Sequence, residues 1–138
     1  MSAARIREKV KLLVVDDDPS FRDLEAQILS HEGYDVLQAD GVEEALRLAD
    51  ETPVIDLLLT DFWMPEANGL ELMRRFRIVH PQTPVLMVSG ELPALHEAGE
   101  EAESFALLAK PFTLSQLVQT VRWLLETSAN RIPVSRAA

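Results

Sequence analysis

Three aspartates that close apolar runs are the residues of this chain best suited to chemistry. Asp16 and Asp17 follow Leu12-Leu13-Val14-Val15, and Asp61 follows Leu57-Leu58-Leu59-Thr60. Two further runs deliver polar groups in the same way: Val85-Leu86-Met87-Val88 ends at Ser89, and Phe105-Ala106-Leu107-Leu108-Ala109 ends at Lys110. As strands of one open parallel sheet, these runs would bring all five side chains to the strand C-terminal ends, where such sheets bind ligands. Three carboxylates left alone repel, so one must hold a proton or a cation must join them. Hard oxygen ligands suit Mg²⁺, which keeps several waters and takes one or two carboxylates together with phosphate oxygens. Ser89 and Lys110 would then stabilise phosphoryl oxygens. A carboxylate facing an open coordination position can attack a phosphoryl donor in line, giving an aspartyl phosphate. Asp61 is placed for that role, because Phe62-Trp63-Met64-Pro65 turns the chain away and leaves the side chain at the mouth.

The elements that must position these groups alternate. Strand-length apolar runs and helix-length amphipathic segments follow one another five times, the pattern of βαβ units around a parallel sheet. Asp18-Pro19 reads as the cap and first residue of a helix with Phe21, Leu24 and Ile28 as its apolar stripe, ending near Gly33. Residues 34–39 form a second strand, and a second helix from Asp40 or Gly41 turns Val42, Ala45, Leu46 and Ala49 inward. Asn68 with Glu71 opens a third helix with Leu72, Met73 and Phe76 on its inner face, stopped by Pro81 and Pro84. A fourth segment, 92–101, is bracketed by Pro93 and Gly99 and is expected to be short or mobile. Thr113 with Gln116 caps the fifth, with Leu114, Leu117, Val121, Leu124 and Leu125 in the core. Residues 1–9 read as an N-terminal extension, 10–127 as the domain, and 128–138 as a frayed tail with no output domain.

Composition narrows the function classes. At 138 residues, 47% hydrophobic and 26% charged, the chain makes one ordinary core and is neither disordered nor of low complexity. A net charge of −10 repels nucleic acid phosphates and anionic lipid, so neither direct nucleic acid binding nor membrane binding is expected. The absence of cysteine removes disulfides and thiolate metal sites. Met1 to Lys9 lacks the apolar core of a signal peptide, which makes the cytoplasm the expected location.

The segments Val14-Val15-Asp16-Asp17-Asp18, Leu58-Leu59-Thr60-Asp61-Phe62-Trp63-Met64-Pro65 with Asn68-Gly69-Leu70-Glu71-Leu72, Val88-Ser89-Gly90 and Lys110-Pro111-Phe112 resemble the receiver domain of bacterial two-component response regulators. The likeness covers about residues 10 to 127, with the four motifs in the family's order. It implies a flavodoxin-like (βα)5 doubly wound α/β sandwich with a five-stranded parallel sheet in order 2-1-3-4-5. It further implies that a histidine kinase or phosphotransfer protein phosphorylates Asp61 and that a downstream protein effector reads the result. By the same resemblance Asp17 ligates Mg²⁺ directly, Asp16 largely through water, and Trp63 by its backbone carbonyl, with Mn²⁺ as a possible substitute. Ser89 and Lys110 bind the phosphoryl oxygens, and the Lys110–Pro111 peptide is cis. Output, or a homodimer, would use the face of the fourth helix, fifth strand and fifth helix. Two positions depart from the family's pattern: Leu107 stands where an aromatic switch residue is frequent, and Asn68 where Asp is common.

Other features have blander explanations. His31, His80 and His96 fit no metal spacing and read as surface residues, and Glu97, Glu100, Glu101 and Glu103 as a solvated face. Trp123 falls off the stripe of Leu117, Val121 and Leu124, which suggests an exposed anchor for a partner. An alternative function is a Mg²⁺-dependent phosphohydrolase of the haloacid-dehalogenase type, since Asp16 and Asp18 make an Asp-x-Asp after the first strand. That chemistry needs a further acidic pair after Lys110, where the chain offers only Glu126. The expected role is therefore not an enzyme's, beyond assisting phosphoryl transfer onto Asp61 and its slow hydrolysis.

Overall fold

The computed structural model describes residues 9–90 and 99–137. Strands β1 (Lys11–Val15), β2 (Asp35–Ala39), β3 (Leu57–Asp61), β4 (Val85–Ser89) and β5 (Ala106–Ala109) form one parallel sheet in order β2-β1-β3-β4-β5. Helices α1 (Pro19–His31), α2 (Val42–Glu51), α3 (Gly69–Val79) and α4 (Leu114–Ala137) connect and flank the strands, and a 3-10 turn (Gly99–Ser104) precedes β5. α4 is the fifth helical segment expected from the sequence. Most of the fourth lies outside the described residues, and its last residues form the 3-10 turn.

Period-2 alternation divides the strands between two cores. Leu13, Val15, Leu58, Val85 and Met87 face one side with Ala45, Ala49, Leu72, Met73 and Phe76 of α2 and α3. Leu12, Val14, Leu57, Leu59, Leu86 and Val88 face the other with Leu29 of α1 and Leu117 and Val121 of α4. Full burial of each such side chain contributes about 1.5–3 kcal/mol, so the central strands anchor the fold and fix the register of the site.

The helix starts follow local chemistry. Asp18 caps α1 by accepting from the Ser20 and Phe21 N–H groups, and Asn68 caps α3 by accepting from Glu71. Thr113 and Gln116 close a reciprocal capping box at α4, with bonds of 2.8 and 3.0 Å. Gly33 takes φ +102° after α1, the left-handed conformation that glycine adopts without strain.

Several expectations need correction. The buried face of α1 is Glu25, Ala26 and Leu29, whereas Leu24 is exposed, so the helix is rotated from the stripe through Phe21, Leu24 and Ile28. Leu114 is exposed at the first turn of α4. α4 continues through Ala137 instead of fraying at 128, and no glycine follows Thr127 to end it. His80 is 7% exposed, with Nε2 at 2.8 Å from the Ala49 carbonyl and its ring stacked on Phe76. It is a structural histidine joining α3 to α2. His96 lies outside the described residues.

Candidate functional site

The register of the sheet brings the chemical groups together. Val15 lies opposite Thr60, Asp61 opposite Val88, and Ser89 opposite Ala109, so each strand releases its polar residue at the same edge. Two backbone bonds fix that edge: Phe62 N–H donates to the Val88 carbonyl at 2.9 Å and Lys110 N–H to the Ser89 carbonyl at 2.8 Å. The Lys110–Pro111 peptide is cis, as the resemblance implied. Behind Asp61 the chain folds back tightly, with Gly69 N–H donating to Phe62 O at 2.7 Å and Trp63 bridging Asn68. Gly69 permits this approach. A Cβ there would stand 3.2 Å from the Asp61 carbonyl oxygen and 3.3 Å from Phe62 Cα.

One oxygen from each of Asp16, Asp17 and Asp61 lies within 4.8 Å of the others. Lys110 Nζ pairs with Asp61 Oδ1 at 3.1 Å and sits 4.6 Å from the centre of the Phe21 ring. One ammonium thus faces three carboxylates. Burial raises the Asp16 pKa above the ordinary carboxylate value, against the hydrogen bond from the Asp18 N–H, and nearby Asp61 adds to the rise. Burial likewise raises Asp61, opposed by the hydrogen bond and charge of Lys110. Surplus negative charge in a partly buried pocket calls for a proton or a cation. The hard oxygen set fits a small divalent ion, and buried Asp16 Oδ2 has no hydrogen-bond partner among the described residues. Asp17 is exposed and lines an open cavity of about 220 Å³ with Gly41 and Met64, so solvent or a donor group can reach the cluster.

The sequence pattern described as the response regulator receiver domain matches residues 12–122. The chain belongs to this family. The receiver is 39% identical over 119 residues to the transcriptional regulatory protein CpxR of Klebsiella pneumoniae, covering 86% of this chain and 50% of that protein. It is 37% identical over 129 residues to the response regulator protein PilR of Pseudomonas aeruginosa, covering 90% and 28% respectively. It therefore spans about half the length, or less, of these curated relatives. Its fold matches a CheY-like receiver domain protein of Methanospirillum hungatei with a TM-score of 0.81 at 27% identity, over 90% of this chain and 99% of that one. The haloacid-dehalogenase alternative finds no support here, and Glu126 is exposed on α4.

All the residues singled out for the receiver site thus meet at one edge, Trp63 contributing from the loop after β3 with its ring edge-on to Phe62. Three neighbours escaped the sequence reading. Phe21 underlies Lys110 and packs edge-on against Phe112. Arg22 donates to the Asp16 backbone carbonyl at 2.7 Å and to Gln38 at 3.2 Å, tying α1 to the acidic loop. Glu25 is 2% exposed, with Oε2 lacking a partner among the described residues, and burial followed by the Asp16 charge pushes its pKa up to about 8. No motif or hydrophobic period marks Glu25, which directly follows Leu24 in the sequence.

Proposed function

We propose that this receiver accepts a phosphoryl group on Asp61 from a sensor histidine kinase or a histidine phosphotransfer protein and passes the signal to a downstream protein effector. The convergence of the three carboxylates with Lys110 at 3.1 Å from Asp61 carries the reading. An Asp61 carboxylate oxygen attacks phosphorus while the P–N bond to the donor imidazole breaks; the leaving nitrogen keeps the electron pair and takes up a proton. Lys110 holds Asp61 in place beforehand and afterwards exchanges that contact for a phosphoryl oxygen, with the Ser89 hydroxyl serving another. Mg²⁺, or Mn²⁺ in its place, would be held by Asp16, Asp17, Asp61 and the Trp63 carbonyl, and when bound supplies neutralising charge for the transfer.

The domain acts on no other substrate in this reading and works in the cytoplasm. Its new charge of about −1.5 to −2 would draw Ser89 and Lys110 toward the phosphoryl group and shift the segment between β4 and β5. Effector binding, or homodimerisation, would then use the face of that segment, β5 and α4. The net charge of −10 over these 138 residues disfavours direct nucleic acid contact by this chain taken alone, whereas the longer relatives include transcriptional regulators. Acetyl phosphate and Mg²⁺ should raise the intact mass by one phosphoryl group, and Asp61→Asn should abolish the adduct. Its persistence in that variant would move the acceptor elsewhere.

A further inference from the structure

α1 begins directly after the acidic loop, with Asp18 as its cap, so its N-terminal end lies at the site. Glu25 stands one turn beyond Phe21, whose ring underlies Lys110, and residues four apart share a helix face. Helical Cα–Cβ bonds tilt toward the N-terminus, and the Glu25 carboxyl lies close enough to the cluster to be acted on by the charges of Asp16, Lys110 and Asp61. The position is closed to bulk solvent, at 2% exposure, and its helix neighbours Ala26 and Leu29 belong to the buried apolar face. Two deeply buried carboxylate oxygens, Asp16 Oδ2 and Glu25 Oε2, lack a hydrogen-bond partner among the described residues. Lys110, the ammonium of the site, is engaged by Asp61. Both oxygens are acceptors that need a donor, because an unpaired buried polar group is costly. Mg²⁺ bound through few carboxylates retains several waters, and their O–H groups are such donors.

Resting on the metal reading above, we infer that Glu25 is a specificity-determining residue of the metal site: its buried carboxylate accepts a hydrogen bond from a water carried by the bound divalent cation, behind Asp16. Glu25 thereby selects for an ion that keeps its water. Mg²⁺ gives up water reluctantly, whereas Ca²⁺ takes six to eight oxygen ligands at longer distances, so loss of the water's acceptor penalises Mg²⁺ more.

Isothermal titration calorimetry of the metal-free full chain with MgCl₂ and CaCl₂ tests this, using the parent, Glu25→Gln, Glu25→Leu and Asp17→Asn. Circular dichroism melts report folding of each metal-free protein, and the leucine variant keeps the test open because an apolar side chain suits this face. Glu25→Leu, which removes the acceptor, is expected to bind Mg²⁺ about 10-fold more weakly, the lower end for removing a partner of a metal ligand, with a smaller loss for Ca²⁺, whereas Glu25→Gln keeps an acceptor oxygen and should lose less. A purely structural Glu25 would shift the melts and leave both affinities alone. A Mg²⁺ affinity within about twofold of the parent in folded Glu25→Leu, or equal losses for the two ions in that variant, overturns the inference while leaving the metal site standing. A parent that binds no Mg²⁺, or an Asp17→Asn variant that binds it as well as the parent, overturns the metal reading and this inference together.

Discussion

Glu25, Asp16 and Asp61 place three carboxyl groups with raised pKa values around one ammonium, and this sets the pH response of the metal-free receiver. The sign follows from proton counting. Between the ordinary value of 4.5 and about 8 the folded state holds a proton on Glu25 that the unfolded chain has released, so stability falls as pH rises through that window. The raised Asp16 and Asp61 values act in the same direction from their own ordinary value of 3.8 upward. Every tenfold difference in proton affinity between folded and unfolded states is worth about 1.4 kcal/mol, large against a total stability of about 5–15 kcal/mol. Urea denaturation in chelator should therefore show a more stable protein at pH 6 than at pH 8, with a flatter profile for Glu25→Leu. A profile unchanged by that substitution would remove Glu25 from the titration.

At the scale of elements, the site depends on how closely α3 meets the end of β3. Gly69 opens α3, and a Cβ on it would lie 3.1 Å from Met87 Sδ, 3.2 Å from the Asp61 carbonyl oxygen and 3.3 Å from Phe62 Cα. The thioether can yield, but the two backbone atoms are fixed by the sheet. Alanine gains about 0.4–1 kcal/mol from the stiffer unfolded chain, against about 1–3 kcal/mol for overpacking. We expect Gly69→Ala to lose about 1–2 kcal/mol in urea denaturation and to slow phosphorylation of Asp61 by acetyl phosphate. Gain of stability would mean that α3 can slide along β3. On the other side of α3, Arg74 pairs with Glu101 and Arg77 donates to the Ser104 carbonyl, holding the 3-10 turn beside β5. Part of the acidic run is thus a tether, although Glu100 and Glu103 remain exposed.

For the molecule as a whole, its surfaces decide what the signal can reach. Trp123 is 61% exposed on α4, beside Thr127 and the Pro81–Pro84 loop at an open cavity of about 290 Å³. This exposure excludes a core role, since truncating a buried Trp removes about 3–5 kcal/mol. Trp123→Ala should change the unfolding free energy by less than about 1 kcal/mol and leave Asp61 phosphorylation intact, while weakening self-association of the phosphorylated receiver in sedimentation velocity. A loss of several kcal/mol would return the side chain to the core. Among the described residues no helix is long and apolar enough to cross a membrane.

Alternation of buried strands and amphipathic helices, the caps at Asp18, Asn68 and Thr113, and polar residues placed just after apolar runs are all legible in the order of residues. These properties are local, and a parallel sheet leaves little freedom in where strand ends go. For the same reason Asp16, Asp17, Asp61, Ser89 and Lys110 can be assigned to one edge from the sequence alone. Rotation of α1 is another matter: Phe21, Leu24 and Ile28 make a plausible apolar stripe, yet the sheet buries Glu25, Ala26 and Leu29. The entry angle set by the Asp18 cap and the Arg22 bond to Asp16 fixes that rotation, and neither depends on hydrophobic period. His80 likewise looks like a loop residue until the Ala49 carbonyl arrives from 31 positions away. Periodicity specifies which elements form and where they end, but the face each one buries follows from shape and hydrogen bonds between elements distant in the chain. That is why Asp61, the proposed acceptor, could be placed at the sheet edge from sequence and the burial of Glu25 could not.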